Sequence, residues 1–586
     1  MKFRNTGLVL AAVAASYMGL PSQAHAFTID EGIEGQWYES GIDGRRGWGF
    51  TYIPTEPEQG ELFVTGYVYD AGGNPYWVAG NSTVFDGQFS VDINLLYLEG
   101  GAFGPEAGNP VVADDAFGTL NVEFHTCNEA TFSFAGIEGV SDFEAEFSHL
   151  KTIFGGNSAD NCVYQKAFSG CPAGTSAGIV ERSCVLEGTY TSDLTLTNDT
   201  TWVLSGGVFI GEKSDIGDAV PADGPVLTIE PGTRIVGSGG TGNALYIQRG
   251  SKIVAEGLPH APIVMTGSTY ASEGATAGQW GGLVINGAAP LNTCTEGVCE
   301  AVGEGDSGAY GGDDPLDDSG VLRYLRVQFA GEKINDEDEL NGIAFQGVGA
   351  GTVVDYVQVH RNADDGIEFF GGTVSAKHLV LTDIEDDSVD WTQGWQGNLQ
   401  YVLVQQIQDE TVDTDRGMEL DNLEQNFDAL PRSGGTMANF TLIGKAGELG
   451  INPRRGTAGH FSNFIVTGFS NCLDIDDTAT FDVATAGDLT FSNTILDCPT
   501  TIVENDQDTP DPWSVTTWFN DQPGNQNGVN PNLDGLFLPA GSPYMSGYPL
   551  DDTIYADDFF ENVDYIGAFR TRASAWIWGW TEFLQD

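Results

Sequence analysis

A repeat constrains this chain more than any other feature of its sequence. Short apolar segments recur at residues 324–329, 353–359, 376–381, 398–404, 437–443, 460–466 and 488–493, each rich in Val, Leu, Ile, Phe or Tyr. A second series lies between them at 366–370, 388–391, 417–420, 449–452 and 472–475. Aligning the first series on Tyr356, Leu379 and Tyr401 gives spacings of 23 and 22 residues, and Ile367 to Val389 in the second series is again 22. A unit of that size holds two or three short strands and cannot bury its own apolar face. Stacking such units in parallel buries one continuous column. The apolar positions alternate at period two and β-branched residues dominate, so helices are poorly supported. Gly supplies 79 of 586 residues, as repeated tight corners require. A leucine-rich repeat has a similar period, but its Leu/Asn ladder is absent. The expected fold is all-β: a right-handed parallel β-helix over about 184–500, preceded over 27–170 by a small antiparallel β-barrel or sandwich. In that module, alternating runs such as 61–69 and 75–79 are divided by Gly-rich turns, a hairpin signal.

The first residues set the expected compartment. Lys2 and Arg4 precede an apolar stretch from Gly7 to Leu20, and Ala24-His25-Ala26 fits a small-residue cleavage site, so 1–26 reads as a signal peptide. Export to the periplasm, the cell surface or the medium follows. Of the 8 Cys, neighbours in sequence pair as Cys127 with Cys162, Cys171 with Cys184, Cys294 with Cys299, and Cys472 with Cys498. Disulfides suit an oxidising compartment, and the spacings lack the CxxC signature of a metal site. The formal net charge is −61. A field of that sign repels nucleic-acid phosphates and anionic membrane surfaces and attracts cations. No later stretch is long and apolar enough for a membrane span, and the sequence leaves the oligomeric state open.

The segments Leu227-Thr-Ile-Glu-Pro-Gly-Thr-Arg-Ile235, Leu245-Tyr-Ile-Gln-Arg-Gly-Ser-Lys-Ile253, Gln279-Trp-Gly-Gly-Leu-Val-Ile285 and Asp364-Asp-Gly-Ile-Glu-Phe-Phe-Gly-Gly372 resemble a family of uncharacterised bacterial secreted or surface β-helix proteins. The resemblance covers about 184–500 and implies fold rather than activity. The N-terminal module resembles small β modules of secreted proteobacterial proteins, with no activity implied. The last part, 501–586, ends in the aromatic cluster Trp576-Ile-Trp-Gly-Trp580, expected to cap the exposed final rung.

Chemistry concentrates in acids that repeat with the rungs. Asp364, Asp365 and Glu368 occupy one, Asp386, Asp387 and Asp390 the next, and Asp413, Asp415, Glu419 and Asp421 the one after. Registered residues in a parallel stack lie ~4.8 Å apart. Carboxylates that close repel and raise one another's pKa. Ca²⁺, with its ~6–8 oxygen ligands, meets that repulsion best. The expected structural ligands are Asp364, Asp365, Glu368, Asp386, Asp387, Asp390, Asp415 and Glu419. Thiolate and imidazole are missing, against zinc or copper. Solvated acidic turns, with Asp bonding its own backbone, are the rival reading. The Asp313-Asp314, Asp317-Asp318 and 336–339 acids read as solvated loops. His360, His378 and His460 read as strand residues, and Trp391 and Trp395 as packing over a turn.

Two functions stay open. One is a non-catalytic, calcium-stiffened extracellular protein presenting loops for adhesion or glycan binding. The other is a polysaccharide lyase or glycoside hydrolase at the acidic face. Lyases on this fold combine Ca²⁺-bound carboxylates with a basic residue. Arg416 and Arg454 are weak candidates for that base, and Asp386 for a hydrolytic acid or base.

Overall fold

The computed structural model describes 29, 33, 35–39, 47–56, 59–69, 75–85, 90–99, 112–124, 129–136 and 142–149, and 170–584 except 180–181, 240–241, 260, 269–275, 296, 332, 336–337, 408–413, 506–509 and 557. The expected signal peptide and the Cys127 and Cys162 pairing lie outside the described residues.

The N-terminal module is a barrel rather than a sandwich. Eight antiparallel strands from Gly35–Glu39 to Phe143–His149 pair in sequence order, and the last closes on the first through Trp37 and His149. Alternation decides which way each side chain points: Leu62 and Val64 face in, while Glu61 and Phe63 face out. Trp37, Phe50, Phe124 and Phe132 fill the interior in mostly edge-on contacts with centroids 5.3–6.5 Å apart. The Trp37 indole N–H, buried with them, donates to the Ile33 carbonyl at 3.0 Å.

From Ser183 onward the chain winds into a parallel β-helix with three faces. Each rung of its regular part contributes one long bent strand and one short strand. The long strands include Gly320–Gln328, Val353–His360, Ser375–Thr382, Asn398–Gln405, Thr436–Ile443 and Gly459–Thr467. Each bends at one residue held at positive φ: Tyr324 (47°), Tyr356 (55°), His378 (52°), Tyr401 (63°), Asn439 (63°) and Asn463 (62°). The bend divides the strand between the first and second faces. The sequence alignment on Leu379 is therefore one residue off. Leu379 pairs inward with Val357 and Val402, and His378 holds the corner, stacked on Tyr356 at 4.1 Å and Tyr401 at 5.0 Å.

Inside, like side chains stack on like. Phe440 lies over Phe464 at 4.3 Å, Phe461 over Phe491 at 4.4 Å and Phe345 over Phe369 at 5.3 Å. Trp391 and Trp395 are wholly buried in this column, so neither is available to stack on a sugar ring. Full burial of such side chains contributes ~1.5–3 kcal/mol each.

Both ends and one flank of the helix are covered. At the start, Ser176–Ala177 pairs antiparallel with Cys184 and Val185 beside the Cys171–Cys184 disulfide. At the far end the helix Val515–Asn520 sends Val515 and Phe519 into the core, and Trp513 packs edge-on against Phe481. The terminal aromatic cluster was expected there. It lies instead along the second face, and the reason is the outward column of that face. Arg326, Gln358, Val380, Leu403, Thr441 and Ile465 stand in register, and the apolar Val380, Leu403 and Ile465 among them must be covered. The segment 536–584 runs back along it, with Trp580 edge-on to Tyr324 and Tyr356. The Cys294–Cys299 and Cys472–Cys498 disulfides also form.

Candidate metal centre

The acids gather where the second face turns into the third. The third face is built from short strands: Ile343–Gln346, Ile367–Phe370, Val389–Thr392, Arg416–Leu420 and Leu449–Pro453. Alternate positions point in, as Ile367 and Phe369 or Met418 and Leu420 do, so Glu368 and Glu419 point out. Glu368 pairs with Asp390, Asp390 with Glu419, and Glu419 with Asn452. Just before each strand the rungs approach closely. A Cβ on Gly366 would sit 2.6 Å from the Ser388 carbonyl, and one on Gly417 would sit 2.6 Å from that of Gly450. Glycine at 366 lets the rungs that carry Asp365 and Asp387 approach this closely. The Asp387 amide donates to Asp365 Oδ1 at 3.0 Å.

All eight expected ligands come together. Their carboxylate oxygens form four overlapping triads: Asp364/Asp365/Asp386, Asp365/Glu368/Asp390, Asp386/Asp387/Asp415 and Asp387/Asp390/Glu419. Within each triad the oxygens lie within 4.8 Å of one another. Asp365, Glu368, Asp387 and Glu419 are buried, while Asp415 is exposed. Burial, with added repulsion from neighbouring acids, pushes Asp364 up to about 7 and lifts Asp365, Glu368, Asp387 and Asp390 well above the usual carboxylate range. The buried oxygens Asp387 Oδ1 and Asp390 Oδ1 accept no hydrogen bond. An orphaned buried acceptor is destabilising by ~1–3 kcal/mol, more when charged. The donor set is all oxygen, closely spaced and short of hydrogens. It fits a hard cation such as Ca²⁺, with these carboxylates as its holders.

Three arginines close the C-terminal end of the ladder. Arg416 pairs with Glu419 at 2.7 Å, with Asp387 at 3.6 Å and with Asp415. Arg454 pairs with Glu419 and, at 2.8 Å, with Asp421, which Arg455 also contacts at 2.6 Å. Burial pulls the Arg416 guanidinium down, but Asp387, Asp415 and other acids outweigh it and hold it above its ordinary value. It therefore stays protonated and is unsuited to act as a base. Burial, with Arg455 and Arg416 nearby, holds Arg454 below its ordinary value.

Other parts of the site come from outside the rung pattern. Asn341 Nδ2 donates to Glu368 at 2.8 Å and to Glu304 at 3.0 Å. Glu304 belongs to an excursion, 287–319, that folds over the third face. Within it Tyr310 and Leu291 pack with Tyr246, Val284, Ala344 and Phe370. Two acids expected in solvated loops are placed otherwise. Glu339 faces Asp364, and Asp317 is buried, its Oδ2 accepting from Ser319 Oγ at 3.0 Å and the Gly349 amide at 3.3 Å. The histidines take no part. His360 Nδ1 meets Thr382 Oγ1 at 2.8 Å, His378 Nδ1 meets Asp355 Oδ1 at 2.7 Å, and His460 Nδ1 meets Thr490 Oγ1 at 2.9 Å.

A family model described as a pectate-lyase-like β-helix domain matches residues 188–534. The chain belongs to that family. The match begins beyond the barrel, which it leaves unassigned. No curated protein sequence matches the chain. Among solved structures, the catalytic unit of a thermostable GH87 α-1,3-glucanase from Streptomyces thermodiastaticus strain HF3-3 is similar at 9% identity. It covers 80% of this chain and 84% of that one with a TM-score of 0.26, an overlap too poor to bear on the site. Among the described residues no helix is long and apolar enough to cross a membrane.

Proposed function

We propose that this is an extracellular or cell-surface β-helix protein whose carboxylate ladder holds Ca²⁺ as a structural ion and whose outer loops make adhesive or glycan contacts. One observation carries the metal: buried carboxylates stacked in register, with oxygens of Asp387 and Asp390 left unbonded. Burial also favours a structural ion over a catalytic one, because Glu368 and Asp387 lie under the surface a polymer would touch. Disulfides, the acidic charge and the leader-like N-terminus support the compartment.

A second reading is a polysaccharide lyase or glycoside hydrolase at the same face. It is favoured by the basic Arg454 lying against Glu419 and Asp421 at the ladder's edge. A panel of acidic and neutral glycans separates the two. The preferred reading gives binding without turnover. Unsaturated or hydrolysed products that vanish in Arg454→Gln or Asp386→Asn would replace it with the enzyme.

A further inference from the structure

The ladder is not uniform, and the register shows where it stops. One column of the third face reads Asn341, Asp365, Asp387, Arg416 and Leu449 down the stack. The column three residues on reads Ala344, Glu368, Asp390, Glu419 and Asn452. Only two successive rungs are acidic in both columns. Above them stand an amide and a methyl group. Below them the first column carries an arginine, at the position that Asp365 and Asp387 hold in their own rungs.

Resting on the calcium reading above, we infer that the ion is confined to the two rungs formed by Asp365, Glu368, Asp387 and Asp390, and that the Arg416 guanidinium is a built-in cation ending the site. Asp390 links the two rungs, since it shares one triad with Asp365 and Glu368 and another with Asp387 and Glu419. The side chain of Asp387 is 5% exposed, and its Oδ1, like Asp390 Oδ1, has no hydrogen-bond partner. Both unbonded oxygens thus belong to the two acidic rungs. A third lies beside them: Asn341, with no exposed surface, gives its amide N–H to Glu368 and leaves its Oδ1 unpartnered. Among the described residues no arginine or lysine pairs with Asp365, Glu368 or Asp390, whereas Glu419 and Asp415 at the next rung are met by Arg416 and Arg454. The two halves carry the same kind of acid but different counter-charges. Among the described residues the four carboxylates of Asp365, Glu368, Asp387 and Asp390 receive one guanidinium contact, Arg416 with Asp387 at 3.6 Å, and the charge left on them requires a cation from solution.

The test is calcium titration calorimetry on the full, metal-stripped chain, with circular dichroism confirming that each variant is folded. The native chain takes up about one ion per two-rung site of carboxylates and amide oxygen. Asp390→Asn weakens that binding by roughly tenfold or more. It also melts above the native chain in EDTA, because it removes a buried unpaired charge rather than a contact. Arg416→Asp, which continues the acidic column by one rung, raises the number of ions bound, and Arg416→Gln tightens or adds binding in the same direction. Unchanged stoichiometry in both arginine variants, or two ions in the native chain, overturns the confinement while leaving the calcium reading standing. A native chain that binds no calcium removes both.

Discussion

Trp580→Ala tests whether the terminal segment is a working part of the β-helix. Trp580 is 1% exposed, lies edge-on to Tyr324 at 6.0 Å and Tyr356 at 5.8 Å, and donates its indole N–H to the Trp576 carbonyl at 2.8 Å. Truncating a buried Trp costs ~3–5 kcal/mol, a figure that includes the ~0.5–1.5 kcal/mol of each aromatic pair. The segment packs on the outside of the β-helix, so the loss falls first on its docking. A change of that size multiplies the undocked population by roughly a hundredfold to several thousandfold. Two amides report docking directly: Ala568 N–H donates to Thr441 Oγ1 at 2.9 Å and Glu582 N–H to Gln358 Oε1 at 3.0 Å. Hydrogen exchange followed by mass spectrometry should show both accelerating by a comparable factor. Peptides over Val380 and Leu403, which the segment covers, should lose protection with them. Exchange identical to that of the native chain would refute the idea that this flank depends on its cover.

Two further outcomes follow from single sites. Burial drives His360 down to about 3, so the folded chain keeps the ring neutral while the unfolded chain protonates it below its ordinary ~6.5. Its stabilising contribution is whole above that value and is lost as pH falls from there toward 3, at up to ~1.4 kcal/mol per pH unit. Denaturation of His360→Asn at pH 7 and pH 5 should show a shallower acid slope than the native chain, and an equal slope would contradict the assignment. Cys472 and Cys498 stand 26 residues apart, which gives ~3.5 kcal/mol by chain entropy. The Cys472→Ser/Cys498→Ser chain should lose about that much in chemical denaturation, and a loss near zero would place the bond's effect elsewhere.

Periodicity made the solenoid legible, and the 22-residue register of Asp364 with Asp386 and Asp365 with Asp387 brought the ladder with it. Register transfers from sequence to space whenever rungs stack without insertion, as they do here from Val353 to Thr392. The corner was misplaced by one residue because a tyrosine or histidine at positive φ looks like any other strand residue. The covered flank had a signal that went unread: Leu379-Val380-Leu381, Val402-Leu403-Val404 and Phe464-Ile465-Val466 are apolar on both faces, so something must cover the outer one. Arg416 could also have been read as ending the acidic column, since Arg416-Gly417-Met418-Glu419 aligns with Asp365-Gly366-Ile367-Glu368. Glu304 could not, because it arrives from an excursion that obeys no repeat.

Calcium in the ladder is the central claim, and thermal unfolding with and without the ion tests it most directly. A ligand that binds only the folded chain adds ~4 kcal/mol at a thousandfold excess over its Kd. Without it the carboxylates of Asp365, Glu368, Asp387 and Asp390 are left to repel one another. The melting temperature should fall in EDTA and recover when Ca²⁺ is restored. Identical melts in EDTA and in excess Ca²⁺ would contradict the account.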